Sequence, residues 1–399
     1  MKSVSVFGEI YSKNLGDRII FDSIKYCFNK YDIDTYPVDL SGRIGWQDTK
    51  INKVKKKSLC RNFARKMLAS YRSLRRFHSA SSWYLGSRKN VIKYWNSVIR
   101  SSDAVVIGGG QLLTDINFGF PPKIYEVARI AISLNKPFAL FGCGVGKEWG
   151  YLASTMYRYV FNNACYVGVR DNLSASFLCS NKLDHLDVHV LPDVAFIAGH
   201  ALSVNNLVSS EKNIGFNFQH PVSFRNFVPE LRNVSDDAFI KFWVKLIAGA
   251  INSGYSPLII TNGDELDFEF SKIVVNALKF ENFEVALNQR PTRPEHLIES
   301  ISNISILICT RMHAGITAFS LGKKVVPISW DKKVDGVWDY VGLGHLVVPA
   351  IALLHEDPWS FFKEKIVNNE IDSNRFQLIC KDIITGSGQC IEALRDHCR

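Results

Sequence analysis

The 399-residue chain lacks several features that would place it in a large class of proteins at once. No apolar run reaches the roughly 18 residues that a membrane-spanning helix needs, and the N-terminus enters directly into a predicted strand instead of a signal peptide. The nine cysteines show neither paired nor metal-ligand spacing, and there is no Cys/His zinc pattern. We therefore expect a cytoplasmic protein with reduced thiols and no bound metal.

Acidic residues are missing from one segment. Residues 50–100 carry fifteen Lys or Arg and no Asp or Glu, in a chain of net charge +10. Between Leu59 and Phe77, apolar residues recur at helical spacing, which predicts a basic amphipathic helix. The arginines of its other face are Arg61, Arg65, Arg72 and Arg76.

Two interpretations of this basic segment remain open. In the first, the apolar stripe of the helix packs on the first domain and its charges stay solvated. In the second, the helix contacts the anionic inner face of the cell membrane. No recognised nucleic-acid-binding motif accompanies the charge, so we expect no nucleic acid as a partner.

The stretch Ile301 to Val334 is the most informative part of the chain. It predicts a buried strand, a sharp loop from Thr310 to Gly315, a helix of small residues and a second buried strand, Lys324 to Ser329. Continuous apolar runs bounded by turns are typical of parallel strands covered on both faces. Ligands bind beyond the carboxyl ends of such strands.

The loop between these two strands combines an arginine with a histidine. Arg311 offers a planar cationic fork for phosphate or carboxylate, and His313 can hold or release a proton near neutral pH. Gly315 relaxes the start of the helix, so that backbone N–H groups face a ligand. In the alternative, Arg311 pairs with a structural carboxylate and His313 caps the helix. The strand–loop–helix context favours an anion site with an acid/base.

Two glycine-rich turns follow predicted strands in the N-terminal half. In the turn after the strand Val4 to Phe7, Asn14 and Asp17 are candidates for hydroxyl recognition or for ordinary helix capping. Gly109 and Gly110 belong to a triple glycine after the strand Asp103 to Ile107, where the backbone can approach a ligand closely. This is not the GxGxxG pattern of dinucleotide folds.

Arg170 stands at the carboxyl end of a further predicted strand, Tyr166 to Val169. It is a candidate for anion binding, and the alternative is an ion pair with Asp171 or Asp193.

The run CTRMHAGITAFSLGKKVVPISWDKKV resembles the C-terminal signature of the polysaccharide pyruvyl transferase family. Weaker matches occur in the expected order upstream, so the resemblance spans nearly the whole chain. Where many members carry Tyr and Pro after the Ile-Ser pair, this chain has Trp330 and Lys332. The upstream matches are NLGD at Asn14 to Asp17, VIGGGQLLTD at Val106 to Asp115, and VRDNLSASFL followed by LPDVAF at Val169 to Phe196.

The resemblance implies transfer of the pyruvyl group of phosphoenolpyruvate to a sugar diol, as a cyclic ketal, in surface polysaccharide biosynthesis. The acceptor would be a sugar or a lipid-linked oligosaccharide, and no cofactor is needed. His313 would shuttle the proton with Arg311 beside it, and Arg170 and Arg311 would hold the donor's anionic groups. The substrate-binding set is completed by Asn14, Asp17, Gly109, Gly110 and Asp115.

Two other functions remain as alternatives. One is a GT-B-type glycosyltransferase that uses a nucleotide sugar, because its fold and anion loops would look alike. The other is a non-catalytic glycan-binding or assembly protein, against which the presence of Arg311 and His313 argues.

Strand and helix patterns alternate twice along the chain, once before and once after Gly199. The first half includes a predicted strand from Phe138 to Cys143. The second half includes predicted strands from Ile214 to Phe218 and from Pro257 to Thr261, and a predicted helix near Asp236 to Asn252. This alternation predicts an α/β protein of two doubly wound, Rossmann-like domains that face each other across a cleft, in a GT-B-like arrangement. The first domain would comprise residues 1–198, with a basic helical insertion at 50–100. The second would comprise residues 199–399, and its C-terminal helices could cross back over the junction.

Overall fold

The computed structural model describes residues 1–46, 76, 79–146, 148–202, 210–369 and 372–398. The chain divides into two compact units, and the main division falls between Leu191 and Pro192. Unit 1 comprises Met1–Tyr11, Cys27–Leu191 and Thr385–Arg399, and unit 2 comprises Ser12–Tyr26 and Pro192–Ile384. The N-terminal segment Ser12–Tyr26 therefore belongs to unit 2, and the C-terminal segment Thr385–Arg399 belongs to unit 1.

Unit 1 is built on a six-stranded sheet with the order β2-β1-β3-β4-β5-β6, and its neighbouring strands are parallel. The chain steps from β1 to β2 on one side and from β3 to β6 on the other, so the order reverses between β1 and β3. The strands are β1 (Ser3–Gly8), β2 (Asp34–Asp39), β3 (Ala104–Gly108), β4 (Phe138–Cys143), β5 (Tyr166–Val169) and β6 (Val188–Val190). The helices up to this point are α1 (Gly16–Asn29), α2 (Arg88–Ser101), α3 (Pro121–Ser133), α4 (Tyr151–Asn163) and α5 (Asn172–Ser180).

The central strands of unit 1 are apolar along their whole length because both faces of the sheet are covered. Every residue of β3, β4 and β5 is buried. Helix α2 contributes the fully buried Trp95, whose ring centroid lies 5.7 Å from that of Phe7 on β1. The predicted strands Phe138 to Cys143 and Tyr166 to Val169 are confirmed at both ends.

Unit 2 contains a second six-stranded parallel sheet, with the order β12-β11-β10-β7-β8-β9. The chain runs from β7 to β9 on one side and from β10 to β12 on the other, so the order reverses between β7 and β10. The strands are β7 (Asn213–Asn217), β8 (Ser256–Ile259), β9 (Ala286–Leu287), β10 (Ile306–Cys309), β11 (Lys324–Ser329) and β12 (Val348–Pro349). The helices are α6 (Ala198–Ala201), α7 (Pro221–Phe227), α8 (Asp236–Asn252), α9 (Glu265–Phe280), α10 (Pro294–Ser302), α11 (Met312–Ser320), α12 (Lys332–Tyr340), α13 (Pro358–Val367) and α14 (Ser373–His397).

The prediction of two doubly wound α/β halves is confirmed. The strand Lys324 to Ser329 and the helix Asp236 to Asn252 have the predicted bounds. Four strands were not predicted from the sequence: β2, β6, β9 and β12. They are short or lie toward the sheet edges and carry weaker apolar patterns.

Little of the basic segment can be compared with its prediction. The predicted helix Leu59 to Phe77 lies outside the described residues, apart from Arg76. The end of the segment forms α2, which packs Val91, Trp95 and Ile99 into unit 1. Within the part of the chain that the structure describes, no helix is long and apolar enough to cross a membrane.

Candidate active site at the strand ends

The loop between β10 and α11 carries Arg311 beside the point where the strand order of unit 2 reverses. The Arg311 Nε and Nη2 atoms each lie 2.7 Å from Oδ2 of Asp267. The other carboxylate oxygen of Asp267 accepts a hydrogen bond of 2.9 Å from the His220 N–H. Burial raises the pKa of Asp267, while the charge of Arg311 opposes that rise. The buried carboxylate therefore fixes the orientation of the guanidinium.

This pairing corresponds to the alternative in which Arg311 meets a structural carboxylate, and it still leaves room for a ligand. The Arg311 side chain is 22% exposed. Its Nη1 atom has no hydrogen-bond partner among the described residues. An arginine held along one edge can present the other edge to an anion, so the pair is compatible with the predicted anion site.

His313 lies in the first turn of α11 and is nearly buried. Its Nε2 atom lies 3.6 Å from Oδ2 of Asp193, a separation longer than a hydrogen bond. Asp193 is held in turn, since its Oδ1 accepts a 3.1 Å hydrogen bond from the Ala195 N–H. The Nε2 atom of His313 has no hydrogen-bond partner in the described chain. A carboxylate thus faces the imidazole, and one ring nitrogen remains available for proton transfer.

Gly315, near the start of α11, is closely packed against its neighbours. A Cβ at this position would lie 2.8 Å from Cys309 Sγ and 3.2 Å from Trp338 Cζ2. The glycine is therefore required by the close packing of α11 against β10 and α12.

The turn that precedes α1 belongs to unit 2 and lies against His313. The Leu15 N–H donates a 3.1 Å hydrogen bond to the carbonyl of Asn262, in the loop after β8. A Cβ on Gly16 would lie 2.6 Å from His313 Cβ and 2.9 Å from its Nδ1. The close approach of backbone to imidazole therefore requires glycine at position 16.

Asn14 and Asp17 occupy this same turn, half-buried. The Ser12 hydroxyl lies 2.8 Å from the Asn14 carbonyl oxygen and 2.7 Å from Asp17 Oδ2, and the Asp17 N–H donates to the Asn14 carbonyl. The turn thus has internal capping contacts. Its two predicted substrate-binding residues share a unit with Arg311 and His313, which the sequence did not predict.

In unit 1, Arg170 follows β5 and is 1% exposed. Its Nη2 atom donates to Oε1 of Gln111, and its Nε lies 3.5 Å from Oδ2 of Asp171. A Cβ on Gly144 would lie 2.7 Å from the same Nε. The guanidinium therefore packs directly on backbone between two polar side chains, and its anion-binding role stays a prediction.

Gly109 and Gly110 lie beside the reversal of strand order in unit 1, with φ angles of +74° and +68°. Glycine adopts this left-handed region without the steric cost that other residues meet. The Gly109 N–H donates to the Phe141 carbonyl at 2.9 Å, and the Gly110 carbonyl accepts from the Gly144 N–H at 2.8 Å. The two glycines fasten the loop after β3 to the loop after β4.

Asp115, the remaining candidate, is buried and anchored. Its Oδ2 accepts hydrogen bonds of 2.6 Å from Arg76 Nη2 and 2.8 Å from the Gly150 N–H. Arg76, one of the basic residues of the segment 50–100, is thereby held by a buried carboxylate of unit 1. A substrate-binding role for Asp115 stays a prediction.

Several polar residues that follow strands of unit 2 were not predicted from the sequence. Gln219 comes after β7 and Asn262 after β8, and both are about 1% exposed. Asp267, the partner of Arg311, lies in the first turn of α9. A polar side chain immediately after a buried strand was the signal that could have identified Gln219 and Asn262.

Solved structures of other proteins share the fold of this chain. A UDP-GlcNAc 2-epimerase from Methanocaldococcus jannaschii matches with a TM-score of 0.57 at 11% identity, covering 94% of this chain and 95% of that one. The enzyme from Neisseria meningitidis, bound to UDP-GlcNAc, matches with a TM-score of 0.52 at 14% identity, covering 99% and 100%. These epimerases are GT-B-like, so the fold is that of GT-B-like enzymes.

The family model described as polysaccharide pyruvyl transferase matches residues 14–332 of this chain. The chain therefore belongs to the polysaccharide pyruvyl transferase family and is a transferase. The match includes the loops that carry Arg170, Arg311 and His313.

Proposed function

We propose that this enzyme moves the pyruvyl group of phosphoenolpyruvate onto two hydroxyls of a sugar, as a cyclic ketal, during surface polysaccharide synthesis. The observation that carries the proposal is the loop between β10 and α11. It places a guanidinium fixed by Asp267 and an imidazole facing Asp193 in the same unit, at the reversal of strand order. Family membership supports the transferred group and the sugar acceptor.

Two steps account for the reaction. His313 gives a proton to the terminal enol carbon, which makes the adjacent carbon electrophilic, and a sugar hydroxyl attacks that carbon and returns a proton to His313. Phosphate then leaves, and the second hydroxyl closes the ketal while its proton passes to the departing phosphate. Arg311 offsets the negative charge of the donor. Arg170, in unit 1, is the candidate for a second anionic group, and the scheme requires no cofactor.

The alternative function is glycosyl transfer from a nucleotide sugar. We retain it because this chain is similar in fold to an epimerase whose structure contains bound UDP-GlcNAc. The two activities release different products. A pyruvyl transferase consumes phosphoenolpyruvate and releases inorganic phosphate, whereas a glycosyltransferase releases a nucleotide. Assays that follow both products therefore separate the two functions.

The proposal predicts phosphoenolpyruvate-dependent phosphate release, with the mass of one pyruvyl ketal added to the sugar. Arg311→Lys should lower kcat/KM for phosphoenolpyruvate by about 10- to 100-fold, because lysine keeps the charge but loses the fork that Asp267 orients. Arg225→Lys, which alters a partly exposed ion pair with Asp236 in the same unit, is the matched control and should remain near wild type. Nucleotide release without phosphate, or a normal Arg311→Lys enzyme, would contradict the proposal.

We also propose that the basic segment brings the enzyme to an anionic membrane surface, where a lipid-linked acceptor would be available. Each Lys or Arg near such a surface contributes on the order of 1 kcal/mol, which salt weakens. Wild type should pellet with anionic but not neutral vesicles at low salt, and a variant with Glu at Arg61, Arg65 and Arg72 should not. Arg76 is left unchanged because it binds Asp115. Wild type that stays in the supernatant with both vesicle types would reject the membrane contact and leave the transferase proposal intact.

A further inference from the structure

Three buried amide side chains in unit 2 carry polar atoms without hydrogen-bond partners. Asn217, Gln219 and Asn262 are each at most 1% exposed. Among described residues nothing bonds to Asn217 Oδ1, Asn262 Nδ2, or either polar atom of the Gln219 side chain. A buried polar group without a partner is costly, and folded proteins seldom keep several together. Such a group in a native protein calls for a ligand or another specific reason.

These amides lie where the fold is expected to bind a ligand. Asn217 is the last residue of β7, while Gln219 and Asn262 follow β7 and β8. The strand order of the sheet reverses between β7 and β10. In open parallel sheets, ligands bind outside the carboxyl ends of the strands at such a reversal. Asn217 Nδ2 donates to Asn262 Oδ1 at 2.9 Å, so the end of β7 is directly connected to the loop after β8.

Gln219 is positioned by the same contacts that hold the Arg311 loop. Its backbone N–H donates a 2.9 Å hydrogen bond to the hydroxyl of Thr310, the residue before Arg311. The next backbone N–H, that of His220, bonds to Asp267, which in turn holds Arg311. The backbone of Gln219 is thereby fixed beside the proposed anion site. Its side-chain amide has no hydrogen-bond partner among the described residues.

The hydrogen-bonding groups of the Gln219 carboxamide indicate which kind of ligand it can bind. Gln219 offers one hydrogen-bond acceptor and one donor group and no charge. An ionised phosphate or carboxylate only accepts hydrogen bonds and would leave Oε1 unsatisfied. A hydroxyl both donates and accepts, so two hydroxyls can satisfy Oε1 and Nε2 together. Arg311 suits the charged donor, and Gln219 suits a neutral polyhydroxyl compound.

We propose that Gln219 is a specificity-determining residue that binds the two hydroxyls of the sugar acceptor. This inference rests on the proposed function, because it assigns the acceptor's diol to a residue beside the same loop. Asn217 and Asn262 supply further unpaired amide atoms for the remainder of the sugar ring.

The test replaces the amide by an apolar side chain of similar size, Gln219→Met. Binding of methyl β-galactopyranoside, methyl β-glucopyranoside and methyl β-mannopyranoside is measured by ligand-observed NMR without any donor. We expect the glycosides that bind wild type to bind the variant about 10- to 100-fold more weakly, because two hydrogen bonds to the ligand are lost. The Tm should be unchanged or higher, because the substitution removes unsatisfied buried polar atoms.

Asn369→Leu provides the matched control. Asn369 is also buried in unit 2, but its Nδ2 donates a 2.8 Å hydrogen bond to the Val325 carbonyl. Loss of this satisfied amide should lower the Tm and leave glycoside binding unchanged. The pair of variants thus distinguishes an amide kept for a ligand from one kept for the fold.

Three results would overturn the inference. They are unchanged glycoside binding in Gln219→Met, a fall in Tm as large as that of Asn369→Leu, or wild type that binds none of the three glycosides. Because no donor is present, these results do not depend on phosphoenolpyruvate. A protein that binds glycosides through Gln219 but releases no phosphate would contradict the proposed function alone.

Discussion

His313→Ala should fold normally and lose about 10²–10⁴-fold in kcat, the usual effect of removing a general acid/base. The expectation follows from the imidazole's position in the Arg311 loop, with Nε2 facing Asp193 and otherwise without a partner in the described chain. Because the ring is nearly buried, its removal should lower the Tm somewhat, and rates are therefore compared at equal concentrations of folded enzyme. The measurements are the steady-state rate of phosphate release across pH and the thermal unfolding curve.

Two further variants make the result specific to proton transfer at His313. His313→Gln keeps a polar side chain of comparable size but cannot carry a proton near neutral pH, so it should be impaired almost as much as alanine. His296→Ala removes an exposed histidine from α10 of the same unit and should retain wild-type activity. Near-wild-type turnover of His313→Ala over the whole pH range would move the acid/base role to another residue.

Gly16→Ala should lower kcat by about 10²-fold, because a displacement of roughly 1 Å at a catalytic group can have an effect of that size. The new Cβ would lie 2.6 Å from His313 Cβ and 2.9 Å from Nδ1, so the imidazole or the turn must move. Overpacking of this kind also destabilises, typically by about 1–3 kcal/mol. Rates and the free energy of unfolding are both measured, so that a loss of folded enzyme is not mistaken for a loss of turnover.

A double variant tests whether Gly16 acts through His313. If it does, Gly16→Ala combined with His313→Ala should be no slower than His313→Ala alone, since the displaced group is already absent. Gly386→Ala is the control, because it adds a methyl group in α14 whose nearest neighbours lie at an ordinary 3.5 Å. If the kcat of the double variant falls by the product of the two single-variant decreases, Gly16 affects catalysis by another route.

Local sequence patterns were sufficient to predict most strands, the central helices and the Arg311 loop. The strand Lys324 to Ser329 and the helix Asp236 to Asn252 were predicted at both ends. Continuous apolar runs and helical periodicity arise from neighbours within a few residues, so they can be recognised in one sequence. The family likewise followed from a short motif around Arg311 and His313, which the family match confirms.

Contacts between residues remote in sequence were decided only by the tertiary structure. Asp267 binds Arg311 across 44 positions, and nothing in the local pattern of α9 marked that carboxylate as its partner. The turn with Gly16 follows the first strand of unit 1 in sequence but belongs to unit 2, against His313. Periodicity reports which face of an element is buried, whereas the packing of loops from separate strands determines which polar groups meet. The sequence alone thus identified the Arg311 loop as the candidate site, and the fold supplied the residues that surround it.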